Sequence, residues 1–320
     1  MASKIAGSPP TQKSGPCIIY FHEGYSPYLA FSLWQATQSN PEARVILLGD
    51  ESNRIAGIHY EHYLLSDFST RLDEFRKIYQ HFHPGNLEDE RRCIERWLFL
   101  AEFVKCQGIN NFIFLDSDTL LFENFLVPPL EWAEFDAAGA PLFWGFCFFR
   151  KNNLVERFAR WIIDQYQNPK IMQEWRARFE RYRSGNGDSG LIIQDMALAV
   201  LFVKETGARV FDVSMPHGGK VVDTGKWGGA FLQGKKHIDI ISQEQKGGKI
   251  YARTDKDSVQ LQVVHVQGFY KNHIAGLTGW SWPIFRSFFR PNYRKNIKQL
   301  FWYGLNGFRY RCYLRRPRTS

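Results

Sequence analysis

Residues 111–121 read NFIFLDSDTLL: an apolar run of strand length, Asn111–Leu115, that ends on the acidic triplet Asp116-Ser117-Asp118. An unbroken apolar run with no polar alternation predicts a strand buried on both faces, as in a sheet covered by helices. Before it lies Arg91–Cys106 (RRCIERWLFLAEFVKC), whose apolar residues recur at helical spacing. Gly108 is placed for the cap of that helix, with Asn110 and Asn111 continuing the turn. In an open α/β sheet, ligands bind at the carboxyl ends of the strands. This run delivers Asp116 and Asp118 to such an end, and alternation along the strand would send both side chains to one side.

Working outward, Cys17–His22 (CIIYFH) and Arg44–Gly49 (RVILLG) predict two further buried strands, with a helix from Pro27 through Thr37 between them. A β–α–β spacing of roughly 30 residues suits a parallel pair joined by a crossover helix. Residues 59–65 read as a third short strand. Downstream, Phe143–Arg150 reads as a strand, Leu154–Gln167 and Lys170–Tyr182 as helices, Ser184–Ser189 as a turn-rich loop, Gln194–Thr206 as a helix and Val259–Val266 as a late strand. The fold class expected is α/β, with a mostly parallel, Rossmann-like central sheet flanked by helices. Residues 1–15, polar and rich in Pro and Ser, read as a disordered lead-in. Residues 16–275 form the expected domain, and 276–320 a basic, aromatic C-terminal segment.

Composition narrows the class. A chain of 320 residues can bury one large α/β core. Hydrophobic residues at 44% and charged residues at 23% suit a soluble globular protein. Aromatic content of 16% is high and points to aromatic-lined pockets or a greasy contact surface. The five cysteines (Cys17, Cys93, Cys106, Cys147 and Cys312) are scattered and include no C-x-x-C pair, which argues against a zinc site or disulfide framework and for reduced, buried thiols. The N-terminus lacks a signal-peptide core, and no stretch reaches the ~18 apolar residues of a membrane span. The location expected is therefore the cytoplasm. The net charge of +9 is local. Ten basic and no acidic residues lie between Arg286 and Arg318, leaving 31 basic against 32 acidic elsewhere.

Two carboxylates at a strand end point to a divalent cation. A hard cation takes such oxygen ligands, keeps positions open for phosphate oxygens, and neutralises charge on a diphosphate leaving group. The competing reading of the triplet alone is a surface turn with solvated aspartates. The string FLDSDTLL also resembles the first motif of haloacid-dehalogenase-type phosphatases, in which Asp116 would be a nucleophile. That motif usually opens the chain on its first strand, whereas here two or three strands precede it.

The C-terminal half supplies a discriminating partner. His265–Lys271 reads HVQGFYK, an H-x-x-G-x-x-K string. Together with the earlier D-x-D, this resembles glycosyltransferase family eight, the glycogenin and bacterial galactosyltransferase group of the GT-A fold. The resemblance covers roughly residues 17–275. It implies that Asp116, Asp118 and His265 hold a manganese or magnesium ion, with Ser117 beside the donor. It implies that Gly268 lets the backbone approach the diphosphate and that Lys271 meets its oxygens. Arg96 looks like the family's donor-contacting basic residue, and Asp195 like the Asp near the transferred sugar and acceptor, a position that could equally serve as a helix N-cap. Phe21, His22 and Glu23, with Asp50 nearby, occupy the usual nucleotide-base region. Two departures stand out: Asn272-His273 follow Lys271 where the family has Pro-Trp, and Phe143-Trp144 precede Gly145 where it has Asn-Ser. The stretch His217-Gly218-Gly219, with Trp227-Gly228-Gly229, reads as a mobile loop or as a lid over the donor.

The C-terminal segment sets its Arg and Lys residues among Trp280, Trp282, Phe285, Phe288, Phe289, Phe301, Trp302 and Tyr303. This is the composition of an anionic-membrane contact, and equally of a solvated tail packed by its own aromatics. Nucleic-acid binding uses the same residues, but no RNA-binding motif accompanies them. The reaction expected is metal-dependent transfer of a hexose from a nucleotide-diphosphate sugar, with UDP as the carrier, to a hydroxyl on a glycan, lipid or protein. The resemblance implies retention at the anomeric carbon. The alternatives are the phosphatase and a non-catalytic membrane-binding adaptor on the same scaffold.

Overall fold

The computed structural model describes residues 16–140, 143–185, 192–223, 240–242, 249–253 and 258–266. Gly268, Lys271, Trp227-Gly228-Gly229, the lead-in and the C-terminal segment lie outside these residues. In chain order the elements are β1 (Cys17–Phe21), α1 (Tyr28–Ser39), β2 (Arg44–Gly49), β3 (Glu61–Leu64), α2 (Leu72–Ile78), α3 (Leu87–Cys106), β4 (Phe112–Asp116), β5 (Thr119–Leu121), β6 (Ala137–Ala140), β7 (Phe143–Phe149), α4 (Asn152–Gln167), α5 (Pro169–Arg183), α6 (Asp195–Thr206), β8 (Val210–Asp212), β9 (Lys220–Asp223), β10 (Ile240–Ser242), β11 (Ile250–Arg253) and β12 (Ser258–His265).

The main sheet has the order β3-β2-β1-β4-β7-β6-β8. Pairs β3/β2, β2/β1, β1/β4 and β6/β8 are parallel. Strand β7 is antiparallel to both β4 and β6, so it alone is reversed within a sheet that otherwise runs one way. This is the α/β, mostly parallel architecture expected. A second sheet, β10-β11-β12-β5 with β9 beside β12, lies off the first. The chain passes between the two sheets at the acidic triplet, where β4 ends and β5 begins.

Two apolar layers hold the sheet. On one face α2–α6 pack through Trp97, Phe103, Phe158 and Phe202. On the other, α1 and the second sheet pack through Leu29, Leu33, Phe125, Val222 and Val263. Trp97 is fully buried between Phe114 and Phe158, at ring distances of 5.0 and 5.4 Å. Burying such a ring removes roughly 150–250 Å² from water, which pins α3 against β4.

Helix α3 begins a turn earlier than its apolar pattern. Asn86 caps it by accepting from the backbone N–H of Glu88 and Asp89, and Glu88, Asp89 and Glu90 fill the first turn. Acidic residues suit the positive end of a helix, but that turn is largely exposed, and its one apolar residue, Leu87, does not extend the buried stripe. Gly108, at φ +61°, ends the helix as expected. Gln194, not Asp195, takes the N-cap position of α6. Cys17 and Cys147 are buried thiols, whereas Cys93 is half-buried and Cys106 is exposed, contrary to the expectation of uniform burial. Among the described residues no helix is long and apolar enough to cross a membrane.

Candidate metal centre

Asp116 is the last residue of β4, and Phe21, the last of β1, stands opposite it in register. The carboxyl ends of β1, β2 and β4 thus share one edge, which carries Phe21, His22, Glu23, Asp50 and Asp116. Ser117 and Asp118 form a turn rather than a continuation of the strand. Asp116 and Asp118 therefore converge because the chain folds over between two sheets, not through strand alternation. Two buried hydrogen bonds fix that turn. Tyr20 donates its hydroxyl to the Thr119 carbonyl at 3.3 Å, and Thr119 donates to the Gly145 carbonyl at 3.2 Å.

Strand β12 brings the third residue. It pairs antiparallel with β5, His265 opposite Thr119, and Val266 N–H donates to the Asp118 carbonyl at 3.0 Å. His265 Nε2 consequently lies 2.9 Å from Asp118 Oδ1 and 3.8 Å from Asp116 Oδ2. One ligand atom from each of Asp116, Asp118 and His265 lies within 4.8 Å of the others, with Asp118 and His265 buried and Asp116 half-buried. Two carboxylates and an imidazole are a donor set suited to a divalent cation, and the spacing lets one ion reach all three.

Arg96 closes the other side of Asp116. One guanidinium nitrogen donates to Asp116 Oδ1 and the other terminal nitrogen to Asp195 Oδ2. Trp97 anchors α3 on Phe114, two residues before Asp116, and so its neighbour Arg96 reaches the site. Burial opposes the Arg96 charge, but Asp116 and Asp195 outweigh it and hold the guanidinium firmly charged. Burial raises the Asp116 carboxyl above its usual range, against the pull of Arg96 and His265. Asp195 is buried in the first turn of α6, where the helix dipole favours its negative charge. Arg96 thus pairs with Asp116 and Asp195, while Asp118 pairs with His265.

The expected base region has its own bonding. Asp50 accepts from Gly24 N–H at 2.5 Å and from Ser52 N–H at 2.7 Å. Burial alone would raise its carboxyl, but those donors prevail and hold it below the usual carboxylate range. Asn53, fully buried, donates to the His22 carbonyl at 2.7 Å and approaches His62 Nε2 at 3.0 Å. Asn53 belongs to no motif named above, although Asp50-Glu51-Ser52-Asn53 carries a capping-box pattern that the structure realises. Phe21 meets Phe99 at 5.8 Å, and Glu23 pairs at 3.2 Å with the exposed Arg92. His217 and Lys220 bridge across Gly218 and Gly219, both at positive φ, as a tight hairpin turn.

Scans of protein-family models and of curated proteins return no match. Among solved structures the chain is similar to mouse xyloside xylosyltransferase 1 in its apo form, with TM-score 0.41 and 9% identity, over 62% of this chain and 84% of that one. It is also similar to the apo form of the glycosyltransferase GlyE of Streptococcus pneumoniae TIGR4, with TM-score 0.36 and 10% identity. That match covers 85% of this chain and 62% of GlyE.

Proposed function

We propose that this chain is a metal-dependent GT-A glycosyltransferase, resembling family eight, that transfers a hexose from a UDP-sugar to an acceptor hydroxyl with retention. The observation that carries the reading is the convergence of Asp116, Asp118 and His265 at the carboxyl edge of a mostly parallel sheet. A late histidine completing a D-x-D across 147 positions is what the resemblance implied. A manganese or magnesium ion held by these three residues would stabilise charge on the diphosphate leaving group.

The chain's own residues do the rest. Arg96 fixes Asp116 for metal ligation and Asp195 for the sugar and acceptor side, and its charge adds to the field that holds the donor. Ser117 lies within the turn beside the donor. The β1 and β2 ends, with Phe21, His22, Glu23 and Asp50, line the place for the base. By resemblance, Gly268 and Lys271 receive the diphosphate, Lys271 as a compact counter-charge. A phosphatase would need a free Asp116 oxygen for attack. Here Arg96 holds Oδ1 and Asp116 is gathered with Asp118 and His265 in one cluster, which supports the ligand role.

The test is thermal unfolding with UDP, GDP and ADP, each with and without Mn²⁺. A ligand that binds only the folded state raises its stability, so UDP and Mn²⁺ together should stabilise more than either alone. Release of phosphate from p-nitrophenyl phosphate with no nucleotide response would favour the phosphatase. Manganese-dependent UDP-sugar turnover that survives Asp116→Asn would sink the mechanism.

A further inference from the structure

Helix α3 carries three arginines, Arg91, Arg92 and Arg96. Two of them are committed to carboxylates. Arg96 bridges Asp116 and Asp195. Arg91 pairs with Glu88 and, at 3.1 Å, with the buried Glu95, which also accepts two bonds from Arg76 of α2. Arg92 differs. It meets Glu23 through Nε, at 3.2 Å, and its two terminal nitrogens carry no hydrogen bond among the described residues. The two side chains are exposed by 48% and 42%, and an ion pair that open to water contributes little to stability. Its consequence is geometric: with Nε held by Glu23, the end of the planar guanidinium keeps its fork of N–H donors open.

The pair sits where the site needs a cation. Glu23 stands two residues past Phe21, which lies opposite Asp116 in register. The next residue, Gly24, donates its N–H to Asp50, so the stretch that leaves β1 is fixed against the end of β2. Arg92 lies one helical turn from Arg96, about 6 Å along the axis, and Arg96 touches Asp116. Glu23 and Arg92 thus join the end of β1 to α3 beside the candidate metal centre, at the carboxyl edge where open α/β sheets bind their ligands.

We propose that Arg92 is a diphosphate-binding residue of the donor site and that Glu23 positions it. The inference rests on the transferase reading. A nucleotide diphosphate carries more phosphate oxygens than one metal ion holds, and a guanidinium fork meets two of them at once. Arg96 cannot take this part without leaving Asp116 and Asp195. Arg92 can take it while its Nε stays on Glu23, so Glu23 serves the donor through Arg92.

Calorimetric titration of the full chain with UDP and with uridine, each in the presence of Mn²⁺, tests the assignment. Arg92→Gln should weaken UDP by about tenfold, as the loss of a hydrogen bond to a charged group does. It should leave uridine binding, Mn²⁺ binding and the unfolding midpoint as in wild type. Arg92→Lys keeps the charge without the fork and should recover only part of the loss. Glu23→Ala should weaken UDP by a smaller factor in the Arg92→Gln background than in the wild-type chain. Equal UDP affinity in wild type and Arg92→Gln would overturn this inference alone. Equal losses for UDP and uridine would place Arg92 at the base and overturn it as well. A wild-type chain that binds no UDP with Mn²⁺ would overturn the transferase reading, and this inference with it.

Discussion

His265 Nε2 stands 2.9 Å from Asp118 Oδ1 although 147 positions separate the two residues. Strand β12 achieves this by pairing with β5, the strand that leaves the acidic triplet. The candidate metal centre is thus a joint between two sheets, and each of its three residues ends or precedes a strand. In such a place ligand geometry is set by backbone pairing rather than by side-chain freedom.

Asp118→Asn should therefore remove metal response while leaving the fold. Even outer-shell partners of a metal cost 10–100-fold in affinity or activity when lost, so loss of a direct ligand should lower kcat/KM at least ~100-fold. The unfolding midpoint without metal should stay at or above wild type, because one buried negative charge is gone. Calorimetric titration with Mn²⁺ checks the claim; unchanged manganese affinity in the folded variant would contradict it.

Arg96 joins the half-buried Asp116 to the buried Asp195, so its loss strands both carboxylates. Breaking a buried pair costs ~3–5 kcal/mol because the partner charge remains. Arg96→Ala should fall in that range by urea unfolding. Adding Asp195→Asn should recover part of the loss, giving a coupling energy of roughly 0.5–3 kcal/mol in the double-mutant cycle. Strict additivity of the two changes would deny the bridge.

The buried strands and the triplet were legible because an apolar run such as FIFL leaves few alternatives. The reason that Asp116 and Asp118 meet was not: strand alternation predicts a shared face, but the chain instead turns at Ser117 into a second sheet. Short strands such as β5 and β8, three residues each, carry too little pattern to read. The roles of Arg96 and Asp195 came by resemblance, and the contact between them did not, since 99 positions separate them and nothing local encodes a tertiary ion pair. Asn53 was missed for a similar reason: its capping partner is near in sequence, but the His22 carbonyl it holds lies just past the end of β1, 31 positions away.

Gly49 tests that missed network. A Cβ there would stand 2.3 Å from Asn53 Oδ1 and 2.8 Å from His62 Nε2. Asn53 is fully buried and cannot swing clear. Overpacking of this kind costs typically ~1–3 kcal/mol, and displacing Asn53 releases the His22 carbonyl at the edge assigned to the base. Gly49→Ala should lose stability by that amount and weaken UDP binding, while Mn²⁺ binding stays as in wild type. Wild-type affinity for UDP by calorimetry would separate this edge from the donor site.

Asp50 gives the pH dependence. Its carboxyl accepts from Gly24 and Ser52, and these donors hold it below the usual carboxylate range despite burial. A capping carboxylate of this kind is worth ~1 kcal/mol against alanine. The folded value lies below the unfolded one, about 3.9 for a free aspartate, so folding favours the ionised form. Its contribution is fully present above the unfolded value and is lost as the pH falls through the folded one. Urea midpoints of wild type and Asp50→Ala should therefore differ by a constant amount from pH 5 to 8. The gap should close below about pH 4, as the aspartate takes up its proton. A gap that persists undiminished at pH 2 would mean that Asp50 stabilises this edge through packing alone, with no share from its charge.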